Sequence, residues 1–334
     1  MELLFFELFI IVEREVWCVV YIQQYIFHCS WLTDAFMPNY WGSALRGGFG
    51  KWLKKVGCIL RIAKCNGCVV RPSCAYGFVF ETESSDYAKT GRINARPHPV
   101  VIEPPVPSPK ETRIGDSFTF SMILMDRAND FFPHIFYSIL KLGKEDGLGA
   151  RNRQGYGRFT IESVLCDSEV LFSHDQSELK RPSSLRKLEL GANSHEDLDY
   201  LQVFYETPFR VKHNGRFCRD IPFHVLVRAA LRRISSLEAA YGAGEPNLDY
   251  RGLISRAEKV ETESSELRWE EIPRFSARQK RKMLIGGPVG RVSYKGDGLS
   301  EFVPLLKYCE TVHIGKQTFF GLGKIEIELG DVST

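Results

Sequence analysis

The residues best suited to chemistry crowd into positions 312–324, VHIGKQTFFGLGK. His313 can exchange a proton near neutral pH, and Lys316 brings a cation three residues later. Gly315, Gly321 and Gly323 permit positive φ and let a ligand approach the backbone closely. Successive main-chain N–H groups in such a loop can form a nest for phosphate. The same composition also suits a plain glycine-rich turn into the alternating strand IEIEL that follows. A second stretch, 147–159 (GLGARNRQGYGRF), repeats the pattern with Arg151, Arg153 and Arg158 and runs into a strand-like segment, 160–165. Short amphipathic segments, 130–142 and 299–309, precede the two loops. The order helix, glycine-rich basic loop, strand therefore occurs twice, which indicates an internal duplication.

Cys58, Cys65, Cys68 and Cys74 form the second constellation. Four thiolates at such spacing suit a closed tetrahedral zinc site, and an iron–sulfur cluster fits the ligand type too; four free thiols are the alternative. With no open ligand position, the site reads as a structural knuckle. A third group is basic. Arg46 lies among Gly47, Gly48 and Gly50, an arrangement that suits either close helix–sheet packing or an anion. Arg228 and Arg232 stack at i, i+4, and Arg281 and Lys282 close a basic run that begins at Arg274.

These residues need elements to hold them. A strand is expected over 19–29, and Leu45, Phe49, Trp52, Leu53 and Val56 form a helical core stripe. The segment 96–109 is proline-rich and extended, and 117–125 reads as a strand. The next helix carries Pro133 in its first turn and Gly143 as its stop. The first half thus reads strand, helix, strand, strand, helix, strand. Residues 168–199 are polar and read as a linker. A strand over 200–212, a helix over 221–237 with Val227, Leu231 and Ile234 inward, and a hairpin centred on 286–290 make up the second half.

Length and composition set bounds. The chain has 334 residues, 44% hydrophobic and 25% charged, which are globular values with room for two domains. Its 44 basic and 41 acidic residues leave a net charge of +3, so anion binding must come from local clustering. The apolar N-terminus carries Glu2 and Glu7 and fits neither a signal peptide nor a membrane span. Nine cysteines, an odd number, suit a reduced cytoplasmic compartment.

GSALRGGFG, the four-cysteine segment ending in FVFET, RPHPVVIEPP and GLGARNRQGYGRF recur in order with TPFRVKHNG, the RRI helix, GGPVGRVSYKG and HIGKQTFFGLGK. This pattern, over roughly 40–329, resembles the CRISPR-associated endoribonucleases of the RAMP superfamily that process precursor guide RNA, in the group with a characteristic C-terminal half. The resemblance implies an α+β chain of two tandem ferredoxin-like, RRM-like domains: 1–167 with the cysteine knuckle, a linker at 168–199, and 200–334 with the loop 312–324. It also implies CRISPR repeat RNA as partner, with an effector complex of other RAMP proteins as a further one. Cleavage would need no cofactor, the 2′-hydroxyl attacking its own phosphate to leave a 2′,3′-cyclic phosphate and a 5′-hydroxyl. His313, Lys316, His28 and Tyr40 are then the catalytic candidates. Arg46, Arg151, Arg153, Arg158, Arg228, Arg232, Arg281, Lys282, Gly315, Gly321 and Gly323 are the RNA-binding ones. Phe319, Phe320, Tyr156 and Phe159 are candidate platforms for unpaired bases. A non-catalytic RAMP subunit that binds guide RNA is the competing expectation, and a zinc-dependent scaffold for protein assembly is a third.

Overall fold

The computed structural model describes residues 20–62, 64–82, 95–176, 178–191, 198–276 and 281–330. The N-terminal extension, Arg278 and Lys280 lie outside the described residues, as does the side chain of Arg153.

Strand β1 (Val20–Trp31) alternates as its sequence demands: Tyr25, Phe27, Cys29 and Trp31 are buried, while Gln24, Ile26, His28 and Ser30 lie half-buried on the other face. The two-residue β2 (Ala35–Phe36) leads to α1 (Gly42–Gly57), which buries Leu45, Phe49, Trp52 and Leu53. Then follow α2 (Ala75–Phe80), β3 (Val100–Glu103), β4 (Glu111–Thr112), β5 (Ser117–Met125) and α3 (Phe132–Lys141). Gly143 does not stop this helix. The chain continues as a π-helical turn over Leu142–Asp146, with Gly143 inside it, where a Cβ would stand 2.4 Å from the Phe159 carbonyl. Strands β6 (Phe159–Cys166), β7 (Glu169–Ser173) and β8 (Arg186–Leu188) complete an antiparallel sheet of order β3-β5-β1-β6-β7, with β8 on β1. The polar stretch expected to be a linker thus contributes two strands to the first sheet.

The second half begins with β9 (Tyr200–Tyr205), which ends before Pro208 instead of running on to 212, because proline has no N–H for a ladder. A small hairpin, β10 (Lys212–His213) and β11 (Arg216–Phe217), precedes α4 (Phe223–Tyr241) and α5 (Tyr250–Ala257). Then come β12 (Glu261–Glu270), β13 (Pro273–Ser276), β14 (Arg281–Leu284), β15 (Gly287–Lys295), α6 (Val303–Val312) and β16 (Ile325–Gly330). The basic hairpin is β13–β14, earlier than the expected 286–290. Gly286 and Gly287 instead press against the Glu270 and Phe209 carbonyls, where added Cβ atoms would lie 2.5 and 2.8 Å away. The sheet order is β12-β15-β9-β16, all antiparallel.

Each half therefore holds the succession β-α-β-β-α-β: β1-α1-β3-β5-α3-β6 and β9-α4-β12-β15-α6-β16. In both, the spatial order is second, third, first, fourth. One large apolar core runs through the two, and a smaller cluster of Tyr40, Ile272, Ile285, Phe320 and Leu322 lies apart from it.

Candidate functional site

The two glycine-rich loops share one backbone path. In the first, Gly147, Gly149, Arg151, Gly155 and Gly157 have φ of 72, 84, 60, 90 and 73°; in the second, His313, Gly315, Gln317, Gly321 and Gly323 have 60, 88, 69, 83 and 74°. Each contains one turn of 3₁₀ helix, Asn152–Gln154 and Thr318–Phe320. Each is closed by a matching bond, Leu148 N–H to the Gly157 carbonyl (2.8 Å) and Ile314 N–H to the Gly323 carbonyl (2.9 Å). The duplication is real at atomic detail, and it sets His313 where the first copy has glycine. At φ 60° and ψ 161°, His313 occupies a region that is nearly glycine-only and costs on the order of 1–3 kcal/mol.

Several groups hold it there. His313 is fully buried, with Nδ1 3.2 Å from the Leu322 carbonyl and Nε2 3.1 Å from Glu103 Oε1 at the end of β3. Buried Arg233 donates to the carbonyls of Val312 (2.7 Å) and His313 (3.2 Å), which caps the C-terminus of α6. Glu103 also accepts from Gln24 at 2.6 Å and lies 3.6 Å from Lys324, whose ammonium is 3.1 Å from Glu206. Burial alone would push the Glu103 carboxyl up. The His313 hydrogen bond and charge, with Lys324 and Gln24, hold it instead at about 2. Thr207 donates to the Gly321 carbonyl (2.8 Å) and accepts from Lys324 N–H (2.9 Å). This charged knot joins the first half to the second and borders a recess of about 100 Å³.

Tyr40, also brought to the loop, donates its hydroxyl to the Phe320 carbonyl at 2.9 Å. Burial, then Glu103 and Glu270, push its phenol well up, so it stays a donor at neutral pH. The Arg46 guanidinium stands 4.9 Å from the Phe80 ring and 5.1 Å from those of Phe319 and Phe320, and Arg274 lies over Phe320 at 4.4 Å. Phe319, Phe320 and Phe159 are core residues, not exposed platforms; Tyr156 alone of the four is half-exposed. Gly321 and Gly323 serve packing between protein segments: added Cβ atoms would stand 2.3 Å from the Ile102 carbonyl and 1.8 Å from that of Ile314. At Gly315 the nearest atom would be the Arg210 carbonyl, 2.9 Å away.

The remaining candidates are dispersed. His28 sits half-buried on the face of β1 opposite Phe27, its Nδ1 3.1 Å from Thr119 Oγ1. Lys316, Arg151, Arg158, Arg228, Arg232, Arg281 and Lys282 are exposed. Arg233, Glu103 and Thr207 were not singled out from the sequence. Arg233 lies in the RRI segment beside Arg232, and its place between buried Leu231 and Ile234 was the available signal.

Cys65 and Cys68 bracket a turn closed by Cys68 N–H to the Cys65 carbonyl at 3.2 Å, with Gly67 at φ 73°. Cys74 donates its thiol to the Gly57 carbonyl at 3.5 Å. Burial pushes the Cys65 thiol up, and neighbouring Cys58 and Cys74 add to that. The donor set suits zinc. As arranged, however, no three His, Cys, Asp or Glu side chains among the described residues are grouped closely enough to hold a metal ion.

Residues 203–325, which include the second loop, match the family model of the CRISPR-associated endoribonuclease Cas6. Residues 20–184 match a family model described as an N-terminal domain. Over its second half the chain is similar to the Cas6 endoribonuclease family. An Archaeoglobus fulgidus protein described as uncharacterized is 27% identical over 295 residues, covering 87% of this chain and 92% of that one. Among solved structures, a partial Cas6–RT–Cas1–Cas2 complex aligns with a TM-score of 0.53 at 12% identity over 95% of this chain, which spans 47% of the length of that one. A Cas6 product complex aligns at 0.52 and 15%, covering 92% and 99% of the two chains. Thermus thermophilus Cas6 aligns at 0.51 and 12%, covering 93% and 99%. At these identities the likeness is one of fold: mixed α/β with antiparallel sheets, Cas6-like. Among the described residues, no helix is long and apolar enough to cross a membrane.

Proposed function

We propose that the chain binds CRISPR repeat RNA and cuts it within the repeat to release guide RNA, without a metal ion. The observation that carries this is the Cas6 family match over 203–325, a segment that contains the glycine-rich loop and, of the charged knot, Glu206, His313 and Lys324. The two β-α-β-β-α-β halves are read as ferredoxin-like, RRM-like domains, 1–167 and 200–334, with β7 and β8 of the intervening stretch paired onto the first sheet. The 2′-hydroxyl attacks the adjacent phosphorus, its proton passes to a base, and the leaving 5′-oxygen takes a proton from an acid. A 2′,3′-cyclic phosphate and a 5′-hydroxyl result.

Of the candidates, His28 presents an imidazole that reaches solvent, so it is assigned the proton transfer. Exposed Lys316 is assigned the charge beside the phosphorane. His313 and Tyr40, both buried, act as positioning residues that fix the loop against the first half. Exposed Arg151, Arg158, Arg228, Arg232, Arg281 and Lys282 supply phosphate contacts. Neutralising Arg281 and Lys282 should weaken binding and flatten its salt dependence.

The second reading is an RNA-binding subunit without cleavage, working within an effector complex of RAMP proteins. It is favoured by the burial of His313, both of whose ring nitrogens face protein acceptors. Incubating labelled repeat RNA with the protein in chelator separates the two: cut RNA supports the first reading, and a shifted but intact band supports the second.

We also propose a structural zinc on Cys58, Cys65, Cys68 and Cys74, which would draw the four thiolates of one loop together. Elemental analysis of protein purified without chelator should find one zinc per chain, and Cys68→Ser should lower stability more than the cleavage step. Metal-free protein of unchanged stability would remove the proposal.

A further inference from the structure

The two glycine-rich loops have the same backbone and opposite surroundings. In the second, Gly321 is closed against Ile102 and Tyr40 of the first half, and both phenylalanines are buried. In the first, the counterpart Gly155 has nothing within 4 Å of an added Cβ. The loop borders a cleft of about 440 Å³, lined by Phe36, Met37, Ala44, Lys110 and Gly149 among others. Lys110 also lines a neighbouring cleft of about 340 Å³, which reaches Tyr40, Thr207 and Arg268 where the halves meet. The first copy thus faces open space that continues toward the junction of the halves.

That space has a recognisable chemistry. The Arg151 guanidinium carbon stands 4.6 Å from the centroid of the half-buried Phe36 ring, and the Tyr156 ring meets Phe36 edge-on at 5.4 Å and 63°. Arg151 holds a left-handed backbone, φ 60°, at the tip of the loop, and Ala150 N–H to the Phe36 carbonyl (2.7 Å) pins the loop to β2. A guanidinium plane backed by an aromatic ring and exposed on its outer side is a surface on which a nucleobase stacks. Lys110, which lines the same cleft as Phe36 and stands next to Glu111 there, matches the phosphate that accompanies the base.

We propose that Phe36, Arg151 and Tyr156 form a stacking subsite for one unpaired nucleotide of the RNA, with Lys110 beside its phosphate. The subsite rests on the RNA-binding reading above and adds to it a point at which the strand is held in register.

The test uses the full chain and labelled repeat RNA carrying a single abasic position, scanned through the unpaired nucleotides. One abasic position should lower wild-type affinity about tenfold, the others little. Arg151→Lys, which keeps the charge and loses the plane, should bind intact RNA about tenfold more weakly and lose nothing further at that abasic position. The salt dependence of its binding should be unchanged, since one cation replaces another. Tyr156→Leu should weaken intact RNA in the same position-specific way, which guards against a defect confined to one variant. If wild type binds RNA but no abasic position matters, or if Arg151→Lys and the abasic losses simply add, the subsite falls and the RNA-binding reading stands. If wild type binds no repeat RNA, both fall.

Discussion

At His313 the backbone and the side chain pull in opposite directions. The backbone takes a conformation natural to glycine, and the first loop has glycine there; the imidazole repays the strain by tying Leu322 and Glu103 together. Two outcomes follow. His313→Ala should lose about 1.5–3 kcal/mol, because the strain stays and the hydrogen bonds to a carbonyl and a charged group go. His313→Gly should be more stable than His313→Ala by about 1 kcal/mol, since it relieves the strain, inverting the usual order for these residues. Urea unfolding of the two variants measures this, and an alanine variant at least as stable as the glycine one would contradict it. His28→Ala should leave stability unchanged and lower the single-turnover cleavage rate by about 10²–10⁴-fold. A rate within a few-fold of wild type would move the chemistry elsewhere. His313 was conspicuous in the sequence, but its role was not. Its partner Glu103 is 210 residues away in a proline-rich run, so only tertiary structure joins them.

At the scale of elements, the glycine spacing made the paired loops legible, and the positive φ values confirm why each glycine is there. Which loop would stay open was not legible, because that depends on what packs against it. Gly321→Ala forces a Cβ against the Ile102 carbonyl and Tyr40, whereas Gly155→Ala meets open space and pays only for its left-handed backbone. Loop 312–324 should therefore tolerate its alanine far less. Gly155→Ala should cost about 1 kcal/mol, and Gly321→Ala at least about 2 kcal/mol more. Thermal or urea unfolding of the pair decides it, and equal losses would mean that the halves part easily at this contact. The strand β12 escaped the sequence reading because ETESSELRWE has little apolar alternation; it is an edge strand whose side chains are mostly exposed.

For the molecule as a whole, the halves are joined by buried titratable groups. His98 donates from Nδ1 to the Val79 carbonyl at 2.9 Å, and its ring packs 4.7 Å from Phe319 of the second half. Burial lowers its pKa from 6.5 to about 4, so the unfolded chain takes up a proton below 6.5 that the folded chain refuses. Its contribution is complete above pH 6.5 and is lost as pH falls toward 4. For Glu103, depressed from 4.5 to about 2, the contribution is complete above 4.5 and is lost toward 2. Acid should thus loosen the chain in two successive windows. Between pH 7.5 and 5, wild type should lose about 2 kcal/mol that His98→Asn does not. Parallel slopes for the two proteins would show that His98 is not the group responsible. The order of strands and helices was readable from periodicity and punctuation in the first half, and in the second apart from β12. The knot between the halves was not, since its members, from Gln24 to Lys324, come from five separate segments.

The proposed activity is processing of CRISPR repeat RNA without a metal. Its most direct test is a single-turnover reaction of the full chain with end-labelled repeat RNA in excess chelator, with the product ends identified. The account predicts one cut within the repeat, a 5′-hydroxyl on one fragment and a 2′,3′-cyclic phosphate on the other. Intact RNA bound tightly, or cleavage that appears only when a divalent metal is restored, would contradict it.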